Sequence, residues 1–155
     1  MKKKTPRQSK ALTPKPVETP EPMPEPILSD IRFLIEETRG RVAQAVNSAL
    51  VLLYWKIGQR IRQDVIQSER AEYGKTVIAT LSAQLTTEYG AGYTRQNLFH
   101  MLRFIEAFPD FEIVSTLCRQ LSWSHFREII YLKDSLKRDF YAEMCRIERW
   151  SVRTL

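Results

Sequence analysis

The stretch Asp30 to Val65, DIRFLIEETRGRVAQAVNSALVLLYWKIGQRIRQDV, decides the fold. Ile31, Leu34, Ile35, Thr38, Val42, Ala45, Val46, Ala49, Leu53, Ile57, Ile61 and Val65 recur along it at helical spacing. That pattern predicts one helix of roughly thirty-five residues, about three times the mean length, capped at Ser29 or Asp30. Gly40 and Gly58 are the places where it could bend. Its centre, Leu50-Val51-Leu52-Leu53-Tyr54-Trp55, is apolar all round, so it needs cover on more than one side. Other helices of the domain could supply that cover, and so could a second copy of the chain.

Outward from this helix the chain stays helical in pattern. Glu72-Tyr73-Gly74 reads as a break. Val77, Ile78, Leu81, Leu85 and Tyr89 mark a second helix, and Gly90-Ala91-Gly92 a turn. Thr94 is placed to cap a third helix carrying Leu98, Met101, Leu102, Ile105 and Phe108, which Pro109-Asp110 ends. A short helix is expected within 113–121. Another, capped by Ser122 or Ser124, carries Phe126, Ile129, Ile130 and Leu132. A last long one runs from about Leu136 to Arg149, and Trp150 to Leu155 reads as the start of a further helix. The expected fold is mostly α: a multi-helix domain with one long N-terminal helix and a helix-turn-helix or winged-helix-like core.

Residues 1–28 have a different character. Lys2, Lys3, Lys4, Arg7 and Lys10 form a basic patch, and seven of the eight prolines lie before Ile27. Such a segment favours extended polyproline geometry and cannot bury a core. The expected organisation is therefore a disordered basic, proline-rich tail over 1–28 and a helical domain over 29–155.

The net charge of +6 divides evenly, +3 on residues 1–26 and +3 on the rest. The folded part is only mildly basic, which permits nucleic acid as a partner without demanding it. No apolar run is long enough to span a membrane, and no apolar signal region follows the N-terminal lysines. Cys118 and Cys145 lack metal or redox spacing and suit small core residues of a reduced, cytoplasmic protein.

Catalytic chemistry has little to stand on. Metal-dependent hydrolysis needs carboxylates to hold a divalent cation, and a lysine two residues after one of them can help position the attacking water. No lysine here has Asp or Glu two positions before it. Two cysteines and two histidines scattered at 100, 118, 125 and 145 do not make a zinc site, and no phosphate-loop motif occurs. Cys118 with His125 as nucleophile and base is a weaker reading than a structural role for both. No catalytic residue, metal or cofactor is expected.

Five blocks carry a resemblance: LYWKIG at 53–58, YGKTVI at 73–78 followed by Leu81-Ser82, YTRQNL at 93–98 followed by MLRF, LSWSH at 121–125, and WSVR at 150–153, the last preceded by Phe140-Tyr141. In this order and spacing the chain resembles the YhcG family over about residues 30–155. The resemblance implies a helical N-terminal domain of unknown function, proposed to bind DNA, followed in most bacterial members by a PD-(D/E)xK nuclease domain. This sequence ends at Leu155, before any such domain, so a non-catalytic module is expected. Arg103 falls one residue later than in the family's pattern, and Tyr93 replaces a Phe. Tyr54, Trp55, Tyr73, Gly74, Leu121, Ser122, Trp123, Ser124, His125 and Trp150 are the signature residues, and a structural role is expected for them.

The candidate nucleic-acid contacts are Lys75, Arg95, Gln96, His100 and Arg103. On a helical wheel Leu98, Met101, Leu102 and Ile105 face inward, Arg95 flanks, and Gln96, Phe99, His100 and Arg103 face outward. Arg and Gln suit guanine and adenine edges. Against this, residues 67–110 hold four basic and five acidic side chains, which fits an ordinary helical hairpin equally well. Eight basic against five acidic residues across 119–155, among them Arg119, Arg127 and Arg149, could contact phosphate or simply form a solvated face. Two functions remain open. One is a DNA-binding or targeting module that meets double-stranded DNA and a separate nuclease subunit. The other is a helical oligomerisation or protein-interaction module without nucleic-acid contact, for which a homo-oligomer is expected.

Overall fold

In a computed structural model the described residues are 25–67 and 71–155. They form six α-helices and one 3₁₀ turn, with no strand among them. The helices are α1 (Glu25–Gln67), α2 (Ala71–Tyr89), α3 (Arg95–Ala107), α4 (Phe111–Leu117), α5 (Trp123–Ile129) and α6 (Ser135–Glu148). The mostly α class stands; no winged element occurs among the described residues. Most of the expected tail, residues 1–24, lies outside them.

Two compact units are distinguished, Met1–Glu36 and Glu37–Leu155. In the first, residues 25–36 are helical and leave Ile27, Ile31, Phe33, Leu34 and Ile35 exposed. The helix starts at Glu25 rather than Ser29 or Asp30. Pro26 does not prevent this, because a proline in the first turn gives up an N–H that has no helical partner anyway.

The second unit holds the core. Val51 and Trp55 of α1 pack with Phe104, Ile105 and Phe108 of the α3 region, Leu117 of α4, Phe126 and Ile129 of α5, and Ala142 and Cys145 of α6. A smaller cluster joins Tyr54 and Ile61 to Ile78, Leu98 and Met101. Trp123 packs against both clusters. The Trp55 indole N–H donates to the Phe108 carbonyl at 2.8 Å, tying α1 to the end of α3. On the α1 face towards α4, Asn47 and Ser48 donate to the Cys118 carbonyl at 3.3 and 2.8 Å, and Asn47 also to the Leu121 carbonyl at 3.0 Å.

Gly74 does not break the chain; it lies inside α2. A Cβ there would stand 3.1 Å from Val65 Cγ1, so the glycine sets how closely α2 approaches α1. Gly58 does the same more strictly, since a Cβ would overlap the Met101 carbonyl on α3. The apolar middle of α1 divides in two: Val51, Tyr54 and Trp55 are buried, while Val42, Val46, Leu50 and Leu53 stay exposed on another face.

Asp110 caps α4 through Glu112 N–H (2.8 Å), and Asp134 caps α6 through Leu136 N–H (2.9 Å). Arg149, which follows α6, takes the left-handed conformation at φ 52° that glycine usually occupies at a helix end. Trp150 to Leu155 closes one turn, with Thr154 N–H donating to the Ser151 carbonyl at 2.9 Å.

Candidate nucleic-acid interface

The α2–turn–α3 segment is built around one glycine. Gly90 sits at φ 95°, a conformation that a side chain would strain, and its N–H closes α2 on the Thr86 carbonyl. The 3₁₀ turn Ala91–Tyr93 then delivers Thr94, whose hydroxyl accepts from Asn97 N–H at 3.3 Å and caps α3. Asn97 is locked from both ends of its amide. Its Nδ2 donates to the Gly92 carbonyl, and its Oδ1 accepts from the Trp123 indole at 3.0 Å. The signature tryptophan of α5 therefore fixes the first turn of α3. Tyr54 stacks edge-on to Trp123 at 4.9 Å between centroids, and burial raises its phenol pKa.

A cavity of about 300 Å³ opens at this end of α3, walled by Thr94, Gln96, Asn97, His100, Trp123 and Arg127, with no acidic side chain in its lining. Arg95 and Gln96 are exposed. Their backbone N–H groups have no hydrogen-bond partner among the described residues, as expected in the first turn of a helix.

His100 departs from the wheel. It was expected on the outward face, yet it is 8% exposed, with Nδ1 and the Tyr131 hydroxyl sharing a 2.5 Å hydrogen bond. Its Nε2 is buried without a partner among the described residues. Burial first, and then the nearby Arg127 charge, push its pKa below the usual histidine value, so the neutral imidazole is favoured. Phe99 is exposed as expected. Arg103 is half-buried and paired with Glu106 at 3.1 Å, and Lys75 is exposed and 3.3 Å from Glu72. Of the five candidate contacts, the structure brings Gln96 and His100 into one cavity wall and sets Arg95 beside them in the same helical turn. Arg103 and Lys75 are outside that wall and spend their charge on local carboxylates.

Arg127 of α5 lines the cavity, and Tyr131, in the segment after α5, holds the His100 ring through its hydroxyl. Nothing local in the sequence ties them to α3, because the pairing depends on Trp123 reaching Asn97 across 26 positions.

The remaining signature residues hold the fold. Ser122 N–H donates to His125 Nδ1 at 3.1 Å, which leaves the proton on Nε2 to donate to the Trp150 carbonyl at 2.9 Å. His125 thus links the start of α5 to the C-terminal turn. Its ring is engaged there and not with Cys118, whose thiol donates to the Ser115 carbonyl. Burial raises the Cys145 thiol pKa. Leu121 is fully buried, Ser124 is exposed, and Tyr73 is 46% exposed with its hydroxyl 3.4 Å from Asp64. A second cavity, about 390 Å³, holds Arg119 and Arg149 beside His125 and Trp150.

No group of three or more His, Cys, Asp or Glu side chains able to hold a metal ion occurs among the described residues. None of their helices is long and apolar enough to cross a membrane.

Comparison with known proteins places this architecture. The "Putative nuclease YhcG" of Escherichia coli (strain K12) is 32% identical over 93 residues, which is 59% of this chain. The chain covers 25% of that relative's length. No solved structure matches. The family model described as the DUF1016 N-terminal domain matches residues 30–155, most of the sequence, and the chain belongs to that family.

Proposed function

We propose that this helical module binds double-stranded DNA through α2, the turn and α3, and serves to target a nuclease activity carried elsewhere. The observation that carries the reading is the N-terminal turn of α3. It presents Arg95 and Gln96 outward, next to Arg127, over a cavity free of acidic side chains. A helix-turn-helix places the N-terminal residues of its second helix against base edges in the major groove, and Arg and Gln suit guanine and adenine there. The similarity to a relative named as a nuclease supports the wider setting. In this reading the module contributes recognition and the cleavage chemistry is carried elsewhere. Gel-shift titration of a duplex against salt, with Arg95→Ala alongside the unaltered chain, tests it: the account expects a salt-sensitive complex that the substitution weakens.

A second reading has its own observation. Val42, Val46, Leu50 and Leu53 stay exposed along α1 within the second unit. Apolar side chains at this spacing suit a partner helix, and self-association through them is compatible with DNA binding, since helix-turn-helix proteins commonly act as dimers.

A further inference from the structure

The cavity at the start of α3 contains more donors than the fold uses. The N–H groups of Arg95 and Gln96 have no partner among the described residues. The Arg127 guanidinium is exposed at the rim, forms no ion pair among the described residues, and acts electrostatically on His100. His100 is more than nine-tenths buried in the wall, and its Nε2 lacks a partner. Leaving a buried nitrogen unsatisfied is costly, so a fold keeps one only where something outside the chain can satisfy it or where other gains offset it. The positive end of the α3 dipole lies at this end of the helix, where Arg127 also lines the cavity. Every one of these features favours an anion, and no acidic side chain in the lining opposes it.

We infer that this cavity is a phosphate-group site, in which one tetrahedral oxyanion is held by the first-turn N–H groups of α3, the Arg127 guanidinium and the His100 imidazole. In the tautomer that accepts the Tyr131 hydroxyl at Nδ1, the His100 proton is on Nε2, and this is the form in which the site donates to a phosphate oxygen. Nε2 is covered in the free chain, so seating the ion against it requires side chains around the cavity to move. The cavity, about 300 Å³, has room for one phosphate group. The site rests on the DNA reading only for its source of phosphate. A backbone phosphodiester and a free phosphate offer the same chemistry, and this position would anchor a backbone while Arg95 and Gln96 face the bases.

The test is a nuclear magnetic resonance titration of the full chain at constant ionic strength. Inorganic phosphate is used in one arm and a short duplex in another, following the Arg95 and Gln96 amides and the His100 ring nitrogens. The inference expects saturable shifts of these signals with phosphate, the same signals moving with duplex, and about tenfold weaker phosphate binding in Arg127→Gln, as for loss of one charged hydrogen bond. Arg127 is exposed, so that variant should keep the fold. Tyr131→Phe is the second variant: it should alter the His100 ring signals and weaken phosphate binding while the Arg95 amide stays in place. Phosphate shifts without any duplex binding would uphold the site and remove the DNA reading. Duplex binding that leaves His100 and Gln96 unmoved, unchanged by Arg127→Gln, would overturn the site and leave the DNA reading intact. No shift with either ligand would overturn both.

Discussion

Gly58 of α1 and Met101 of α3 meet backbone to backbone: no room exists at Gly58 for even a methyl group beside the Met101 carbonyl. This contact brings the long helix against the candidate recognition helix, and Leu98, Met101 and Tyr54 pack around it. Gly58→Ala should therefore destabilise the protein by about 1–3 kcal/mol, because neither backbone can yield cheaply. Gly40, on the same helix, has open space where a Cβ would go. Gly40→Ala should stabilise by about 0.5–1 kcal/mol through helix propensity alone. Urea melts of both variants check the pair, and equal effects would contradict the packing account.

The Trp123–Asn97 hydrogen bond couples α5 to the first turn of α3. Trp123→Phe keeps most of the ring but leaves Asn97 Oδ1 without its donor. A loss of about 1–2 kcal/mol is expected. Hydrogen exchange should quicken in the first turn of α3 more than in α6. Uniform quickening throughout would show that Trp123 serves only as core volume.

His100 gives the fold a pH dependence of known sign. Its folded-state pKa lies below the usual value of 6.5, so the unfolded chain binds the proton more readily. The associated stability is fully present above about pH 6.5 and is lost as pH falls towards the folded pKa. The urea midpoint should drop on acidification below about pH 6.5, and His100→Gln should flatten that part of the profile. An unchanged slope in the variant would assign the effect to other groups.

The exposed stripe on α1 predicts concentration-dependent self-association. Leu53 is 42% exposed, so Leu53→Glu should leave the fold intact while shifting sedimentation towards monomer. A wild-type chain that sediments as monomer at every accessible concentration would remove the second reading.

Much of the fold was legible because helical periodicity is a local property. The long helix, the turn at Gly90, the Thr94 cap and the start of α5 at Ser122, one of the two caps the sequence offers, follow from spacing and capping residues. Gly74 reads as a break because a glycine that ends a helix and a glycine that lets another helix come close look alike in one dimension; only Val65 distinguishes them. The helical wheel puts His100 outward because nothing near it in sequence announces Tyr131, the hydroxyl 31 positions away that makes its burial tolerable. In the sequence Arg127 is one of eight basic residues across 119–155 that could contact phosphate, with nothing to set it beside α3, for the same reason. Its relevance to α3 depends on a long-range contact made through Trp123 and Asn97.

Duplex binding measured by fluorescence anisotropy between about 50 and 200 mM salt tests the central claim most directly. The account predicts affinity that falls steeply with salt, and Arg95→Ala binding more weakly than the unaltered chain across that range. Absence of binding at the lowest salt, with the helical fold confirmed in the same sample, would contradict it.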